Sequence, residues 1–369
     1  MLLELQQVDN KNSSGDFLGL KTVGVNTSDF SQTVFNKEEL QALTETKKRF
    51  SVINSKAMAG IDKINSNLYL GAIEYLTTNC FCWVEVPTLT KITGACENVD
   101  TLYNVDHFGT EAYLAQTGQL YLEAKIPSHK KVWTIITSSR AESVVDERHL
   151  NQFTLIEFEH LGDLNLLLAH IQGTIQNMVK RVLKKNREEL SFLGVENEHV
   201  QKYLEPFTRI TYTHAITLLQ TTFPVQWGDD LKAQHELFLV EALGNKPLFI
   251  THYPKAIKFF NMRQNEENSD VVNSADLILP YSGESTGSAE RENNYEHLQE
   301  RLITSPMYHI LQVRGKNLED FEDYLQLVKQ NPQLHSGCGI GFNRVSQSIL
   351  QMPDIRMATN YPLNAESLY

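Results

Sequence analysis

The sequence predicts an α+β fold in which an antiparallel sheet is flanked by helices. Two observations lead to this prediction. Short segments rich in β-branched and aromatic residues occur in hairpin-like pairs, and longer segments with apolar residues at three-to-four spacing are inserted between them. With 369 residues, of which 41% are apolar and 21% charged, the chain is long enough to bury a substantial core.

The start of the chain is expected to be a short extension, because it is too short to be a complete domain. Residues 1–36 are polar and contain two strand-like pieces, "LLELQQV" and "FLGLKTVGV". Residues 37–369 are expected to form a single domain, which begins with the helical pattern of "KEELQALTETKKRFSVINSKAMAGIDKINSNLYLGAIEYLTTN".

The remainder of this domain supplies the sheet and further helices. The amphipathic segment "NLLLAHIQGTIQNMVKRVLKKNREEL" predicts a long helix, and the helical pattern returns near residues 297–330. Six segments are predicted to be strands: "CFCWVEVPTLT", "EAYLAQTGQLYLEAKI", "KVWTIITSSRAE", "NQFTLIEFEHL", "KPLFITHYP" and "SADLILPYSGE".

Charge and cysteine usage restrict the possible functions. The net charge is −12, which argues weakly against a broad nucleic-acid surface, because phosphate binding is driven by clustered Lys and Arg, but it leaves room for a local basic groove. The four cysteines include no C-x-x-C pair, so a zinc finger is not expected. No apolar run approaches the length of a membrane span, and the first ten residues lack the basic region of a signal peptide. We therefore expect a cytoplasmic protein with no membrane partner.

Polar clusters interrupt segments that otherwise look like core strands. Arg140, together with Arg344, suits a phosphate or a stacked base. Asp276 and Glu284 lie at opposite ends of one strand and turn, and they could share a hard cation such as Mg²⁺. Each group taken singly is more often a structural ion pair than a site, and only their co-occurrence favours a site.

A glycine-rich stretch near the C-terminus raises the same question. "HSGCGIGFNRVSQSIL", residues 335–350, places three alternating glycines before an arginine and an apolar run. Bare backbone beside a cation would suit a nucleotide, whereas a tight strand-to-helix turn would need no ligand.

Taken in order, these segments resemble the catalytic domain of class II aminoacyl-tRNA synthetases, in the aspartyl/asparaginyl branch. "FCWVEVPTLT" resembles motif 1, "SSRAESVVDERHLNQFTLIEFE" motif 2 and "HSGCGIGFNR" motif 3. "TGQLYLEA", "THYPKAIKFFNMR" and "ADLILPYSGESTGSAERE" match further segments of this branch, and the first is close to the asparaginyl form. The resemblance extends from about Arg49 to the C-terminus.

This resemblance implies the residues that bind ATP and Mg²⁺. Arg140 would hold the α-phosphate as a catalytic residue, and adenine would lie between Phe153 and the second catalytic residue, Arg344. Asp276 and Glu284 would bind Mg²⁺ on the phosphates. The ATP-binding residues would be Arg140, Glu142, Arg148, His149, Phe153, Glu284, Gly341 and Arg344.

The resemblance also implies an amino-acid pocket and a dimer. Gln119, Glu157, Ser288 and Arg291 would form the pocket, and Pro87 of motif 1 would lie at the interface of a homodimer. A carboxylate at Glu157 accepts hydrogen bonds from an amide but repels a second carboxylate, which favours asparagine. In the empty site, Glu157 could instead pair only with Arg291.

Several departures from the family pattern bear on the acceptor. Fewer residues precede the match than an anticodon-binding barrel needs, and the motif 2 loop contains Asp146 and Glu147 where cations are expected. Asn343 and Ser139 replace typical residues beside the two catalytic arginines.

These departures lead to three hypotheses. We expect first an AMP-forming ligase, asparagine synthetase-like, that activates aspartate or asparagine and transfers it to ammonia or a small amine, with no tRNA partner. The second hypothesis is a minimal asparaginyl-tRNA synthetase that charges tRNA. The third is a non-catalytic regulatory protein that binds a nucleotide or an amino acid.

Overall fold

The computed structural model describes residues 48–91 and 99–367. The strand-like pieces expected within residues 1–36, and the first helical residues up to 47, lie outside this part of the chain. The strands are β1 (Cys82–Trp83), β2 (Leu89–Thr90), β3 (Asn104–His107), β4 (Thr110–Leu114), β5 (Lys131–Ser139), β6 (Gln152–Leu161), β7 (Thr208–Thr211), β8 (Leu248–Thr251), β9 (Ser274–Leu279), β10 (Gly283–Glu290) and β11 (His335–Gly341).

Eight of these strands form one mixed sheet in the order β1-β5-β6-β11-β10-β9-β8-β7. The six central strands pair antiparallel, and only the outermost pairs, β1–β5 and β7–β8, are parallel. The strands β2, β4 and β3 form a small separate sheet. The predicted α+β fold with a central antiparallel sheet is confirmed.

Helices flank the large sheet. They are α1 (Arg49–Ile53), α2 (Lys56–Thr78), α3 (Gln119–Glu123), α4 (Ile126–His129), α5 (Leu164–Lys185), α6 (Arg187–Phe192), α7 (Asn197–Lys202), α8 (Tyr212–Leu219), α9 (Ala233–Ala242), α10 (Tyr295–Ile303), α11 (Pro306–Val313), α12 (Glu322–Gln330) and α13 (Phe342–Ile349). Among the helices that the structure describes, none combines the length and apolar character needed to span a membrane.

The long helices α2 and α5 cover one face of the sheet. Ser55 caps α2 by accepting a hydrogen bond from the backbone of Met58, and Asp163 caps α5 in the same way. A side chain at Gly71 would place its Cβ 2.6 Å from the Cα of Met178, so the helix backbones touch where they cross. Their apolar stripes, with the inner face of the sheet, form the main core.

The other face of the sheet is less filled at β11, because core-facing side chains alternate with glycines along this strand. Cys338 and Ile340 point into the core under α2 and α5, whereas Gly337, Gly339 and Gly341 point the opposite way. Helix α13 follows β11 directly, so the glycine-rich stretch ends in a strand-to-helix turn, which leaves both interpretations of this stretch open. The three glycines therefore let other groups pack directly on the backbone of β11, and Gly339 retains ordinary contact distances to its neighbours.

One predicted strand is wrong in its second half. The segment "EAYLAQTGQLYLEAKI" forms β4 only up to Leu114, and residues 119–123 are helix α3. The carbonyl of Gly118 accepts hydrogen bonds from the N–H groups of Tyr121 and Leu122, which starts the helical turn. This turn directs the side chain of Gln119 toward β11, where its Nε2 atom would be 3.7 Å from a Cβ at Gly339.

Candidate active site

Two glutamates of β6 lie beside the glycines of β11. Glu157 pairs with Gly339 and Glu159 with Gly337 across the strands, and both carboxyl groups are fully buried. The carboxylate of Glu159 fills the space above Gly337, since a Cβ there would be 1.9 Å from its Oε1 atom. Alternate residues of a strand face the same side of a sheet, and the glycines of β11 carry no side chains. Both acids therefore lie on the floor of one pocket.

Glu157 is held by the loop before α3. Its carboxylate accepts hydrogen bonds from the hydroxyl of Thr117 and from the backbone N–H of Gly118, the latter at 2.7 Å. Burial raises the pKa of Glu157 to about 7, because two hydrogen bonds do not fully replace water. Its carboxyl group therefore changes charge near neutral pH.

Arg291 lies at the same level, immediately after β10, and is almost completely buried. Its Nη2 atom donates to Glu159 Oε1 at 2.7 Å and to Gln119 Oε1 at 2.9 Å, and its Nε atom lies 3.5 Å from Glu123 Oε1. The ion pair considered between Glu157 and Arg291 is therefore not the one that forms. Glu159, two residues farther along β6, takes that place.

A second layer surrounds this ion pair. Glu123 Oε2 accepts a hydrogen bond from the hydroxyl of Tyr324 at 2.9 Å and lies 3.4 Å from Nε2 of His335. Although burial opposes both shifts, the contact lowers the pKa of Glu123 and raises that of His335. The contact therefore favours the carboxylate form of Glu123 and the imidazolium form of His335.

The Arg140 end of the pocket has the chemistry of an anion site. The guanidinium Cζ of Arg140 lies 5.3 Å from the ring centre of Phe153. Its Nε atom is buried and has no hydrogen-bond partner within the described part of the chain. A buried donor of this kind is costly unless a ligand accepts from it, so Arg140 is suited to hold a phosphate.

Two further arginines hold the turn between β9 and β10. Arg148 donates to Glu236 at 2.5 Å and to the carbonyl of Ser282 at 3.2 Å, and Arg344 donates to the same carbonyl at 3.2 Å. Arg344 also donates to the carbonyl of Glu284 at 2.7 Å. Burial, with the nearby Arg148, lowers the pKa of Arg344 to about 10, so the group remains a cation.

The predicted metal ligands lie at the neighbouring strands. Asp276 accepts a hydrogen bond from Nζ of Lys258 at 2.6 Å. The Glu284 side chain extends over Gly287, which pairs with Asp276, and burial together with Glu284 raises the pKa of Asp276 to about 7. Residues 48–91 and 99–367 contain no group of three or more potential metal ligands. Two carboxylates nevertheless fit Mg²⁺, which takes one or two from protein and others from phosphates.

The remaining predicted residues are less central. The hydroxyl of Ser288 donates to the carbonyl of Ala275 at 2.6 Å, and Ser288 pairs with Cys338 on the core-facing side of the sheet. His149 pairs with Asp146 at 2.7 Å, and Glu142 lies in the same loop. Gly341 has little room for a side chain, since a Cβ there would be 3.1 Å from the carbonyl oxygen of Ser285.

Two of the departures have structural explanations. The Oδ1 atom of Asn343 accepts a hydrogen bond from the N–H of Thr154 at 3.0 Å, which ties α13 to β6. Ser139 accepts a hydrogen bond from the side chain of Gln152 at 3.3 Å. Both residues thus stabilise the strands beneath the arginines.

Sequence reasoning missed five residues of the site: Glu123, Glu159, Glu236, Lys258 and His335. Glu159 could have been found, because it is two residues from Glu157 and must share its face of a strand. The partners of the others come from chain segments tens to hundreds of residues away, as with Arg148 and Glu236, and only the fold brings them together.

Comparison with known proteins assigns this geometry to a family. The family model described as tRNA synthetases class II (D, K and N) matches residues 41–365. This chain belongs to that family. The class II resemblance found in motifs 1 to 3 is therefore confirmed, and the chain is an AMP-forming ligase.

Individual relatives refine this assignment. The asparagine–tRNA ligase of Thermococcus gammatolerans is 34% identical over 320 residues, which cover 86% of this chain and 72% of the relative. The asparaginyl-tRNA synthetase of Pyrococcus horikoshii, solved with asparaginyl-adenylate, superposes with a TM-score of 0.82 at 32% identity, over 93% of this chain and 75% of that structure. The Entamoeba histolytica enzyme with asparaginyl-adenylate gives 0.78 at 26% identity, over 91% and 74%.

These relatives correct our expectation about the acceptor. Transfer to ammonia or a small amine, without a tRNA partner, is wrong, because the class II relatives that match most of the chain are named as asparagine–tRNA ligases. Our expectation gave too much weight to the two acidic residues of the motif 2 loop as an obstacle to tRNA. Asp146 accepts from the N–H groups of Arg148 and His149, and burial raises the pKa of Glu147 to about 7, so neither presents a fully free negative charge.

Proposed function

We propose that this chain activates asparagine with ATP and transfers the asparaginyl group to tRNA. The asparagine carboxylate attacks the α-phosphorus of ATP, and pyrophosphate leaves. A hydroxyl of the terminal tRNA ribose then attacks the carbonyl carbon of the adenylate, and AMP leaves. The relatives named as asparagine–tRNA ligases and the neighbours solved with asparaginyl-adenylate support this sequence of steps.

The charge balance of the pocket floor is the observation that carries the proposal. Glu157, Glu159 and Glu123 face two cations, Arg291 and His335. Above pH 7, where Glu157 and Glu159 are ionised, a substrate carboxylate at this floor would meet net negative charge, whereas a neutral carboxamide would not be repelled. The side chain of asparagine suits the pocket because it can donate to Glu157 and accept from Arg291.

Three arginines support the proposed ATP-binding end of the site. The Nε atom of Arg140, which has no hydrogen-bond partner among residues 48–91 and 99–367, would hold the α-phosphate and stabilise charge as pyrophosphate leaves. Adenine would lie between Phe153 and Arg344, beside Gly341. Arg148, bound to Glu236 and Ser282, positions the turn that also holds Arg344.

Glu142 and His149 are proposed to contact the nucleotide from the motif 2 loop. Asp276 and Glu284 would hold Mg²⁺, which when bound neutralises charge on the phosphates. Lys258 already provides one positive charge at Asp276. Ser288 is left out of the pocket because its hydroxyl is used within the core-facing side of the sheet.

We further propose a homodimer in the cytoplasm, built from a catalytic domain at residues 37–369 with residues 1–36 as an extension. The segment around Pro87 supports the dimer because it resembles motif 1, which forms the subunit interface in this family. An interface of this kind uses the same surface on both subunits and has two-fold symmetry. Light scattering should give a mass twice the 42.1 kDa of one chain. A mass of one chain at micromolar concentration would contradict the dimer.

The decisive experiment measures ATP–pyrophosphate exchange with asparagine and aspartate, followed by charging of tRNA from the source organism. We expect exchange with asparagine, weak exchange with aspartate, and asparaginyl-tRNA as the product. Arg140→Ala should abolish exchange, whereas Arg209→Ala, at an exposed residue of β7, should leave it intact. Exchange without any charging of tRNA would refute the acceptor, and exchange with aspartate alone would refute the substrate.

A further inference from the structure

Glu123 is a buried acid that takes no direct part in the proposed chemistry, although its charge belongs to the balance of the pocket floor. It is the last residue of α3, the helix that begins with Gln119, and only 2% of its surface is exposed. Burying a carboxylate is costly unless it is paired and hydrogen-bonded. A residue of this kind in the second layer of a pocket must therefore be explained by its contacts.

The contacts of Glu123 connect three distant segments of the chain. Oε2 accepts from Tyr324 of α12 and faces His335 at the start of β11, and Oε1 lies 3.5 Å from Nε of Arg291. The backbone N–H of Arg291 in turn donates to the carbonyl of His335 at 2.9 Å. Glu123, His335 and Arg291 thus form a closed ring of contacts behind the pocket.

This ring also sets the field that a substrate side chain meets. Glu159 and Glu123 are both within ion-pair distance of Arg291. If Glu123 were neutral, the positive charge of Arg291 would be balanced by Glu159 alone. The pocket would then accept a carboxylate more readily, and α3 would lose one of its attachments to β11 and α12.

We propose that Glu123 is a positioning residue that determines specificity: it fixes Arg291 and the Gln119 end of α3, and its charge keeps the pocket selective for a carboxamide over a carboxylate. The proposal rests on the proposed function, since it assigns selectivity within the same amino-acid pocket. Tyr324 and His335 act through Glu123 and do not touch the substrate.

The test uses Glu123→Gln, which keeps the shape of the side chain and removes the charge. The KM for asparagine should rise about tenfold, the effect of losing one charged hydrogen bond, and the preference for asparagine over aspartate should fall by a similar factor. The KM for ATP should change less than about twofold, because the nucleotide binds elsewhere. Glu300→Gln, at an exposed acid of α10, is the matched control.

A second variant keeps the proposal falsifiable if Glu123→Gln fails to fold. Tyr324→Phe removes only the hydroxyl that donates to Glu123, and it should raise the KM for asparagine several-fold in the same direction. Parallel increases in the KM values for asparagine and ATP would indicate a merely structural role and overturn the proposal. An unchanged KM for asparagine in a folded variant would overturn it as well.

Direct binding of asparagine separates this proposal from the proposed function. Calorimetry on the intact chain should show weaker asparagine binding by Glu123→Gln than by the unmodified protein. If the unmodified protein binds asparagine but catalyses no exchange, the proposed function fails while the role of Glu123 stands on the binding difference. If exchange occurs and binding is equal in both proteins, the role of Glu123 fails alone.

Discussion

Nη2 of Arg291 lies 2.7 Å from Oε1 of Glu159, and less than 2% of either side chain is exposed. The pair lies on the sheet itself, above Gly337, and not on a loop. When Glu159 is ionised, its carboxylate neutralises the guanidinium, so Arg291 can donate to an uncharged oxygen without demanding a negative one. This relationship would explain how a conspicuous arginine fits the proposed pocket for a carboxamide.

Gly337→Ala should disrupt that pair. The new Cβ would be 1.9 Å from the Glu159 carboxylate, so the buried acid must move away from Arg291. Breaking a buried pair costs about 3 kcal/mol, and urea denaturation should show a loss of that order in the free energy of unfolding. Gly60→Ala is the control, because its nearest neighbours are 3.8 Å away and alanine favours the helix. Equal stability of the two variants would contradict our account.

Asparagine binding should strengthen as the pH rises from 6 to 8. The pKa of Glu157 is raised to about 7, so its carboxyl group is largely protonated at pH 6 and accepts poorly from a carboxamide. Above pH 7 it is a full acceptor, and it also repels aspartate. The KM for asparagine and the preference over aspartate should both show this transition. In Glu157→Gln the transition should shrink to the part that Glu159 contributes, since the pKa of Glu159 is also raised to about 7, and an unchanged transition there would assign it to other groups.

Glu284→Gln should weaken the binding of Mg²⁺ without changing the binding of asparagine. If Glu284 and Asp276 hold the ion on the phosphates, the Mg²⁺ concentration for half-maximal exchange should rise about tenfold. The KM for asparagine should stay constant, because Glu284 lies at the start of β10 and Arg291 of the amino-acid pocket follows its opposite end. Glu241→Gln, at an exposed acid of α9, serves as the control. An unchanged Mg²⁺ titration would remove Glu284 from the metal site.

The protein should lose stability in acid between pH 6.5 and 4. Burial lowers the pKa of His199 to about 4, and its Nε2 atom contacts the carbonyl of Ser348 at 2.8 Å. An unfolded histidine protonates near pH 6.5, so the unfolded state binds the extra proton first and gains up to about 3 kcal/mol over this range. His170, whose pKa is also lowered to about 4, acts in the same direction.

Denaturation curves of His199→Gln should therefore be flatter with pH than those of the unmodified protein. Replacement of the exposed His297 by glutamine should leave the pH dependence unchanged. An identical slope in His199→Gln would show that other groups are responsible.

Local sequence pattern was sufficient for most of the sheet. The segments "KVWTIITSSRAE" and "NQFTLIEFEHL" contain β5 and β6 to within three residues, because long runs of β-branched and aromatic side chains have few alternatives. "LAQTGQLYLEA" failed because Leu120 and Leu122 alternate as in a strand, and five helical residues are too few for the 3.6-residue period to appear.

The site was predictable only as far as linear motifs reach. Arg140, Phe153 and Arg291 were found because the family pattern marks them, and the fold brings them to one face. The partners of Arg291 and Arg148 could not be inferred, because they depend on strand register and on helices far away in the chain. The net charge of the motif 2 loop was a poor guide to tRNA binding, since the carboxylate of Asp146 accepts hydrogen bonds from the backbone of its own turn.

The glycines of β11 are unequal, and this has a use in enzyme engineering. A methyl group at Gly337 collides with Glu159, whereas one at Gly339 would have its nearest neighbours at 3.5, 3.7 and 3.8 Å, which is ordinary contact. An alanine at position 339 would therefore occupy ligand space without displacing protein. Position 339 is the natural starting point for an orthogonal variant that excludes the native amino acid and accepts a slimmer analogue.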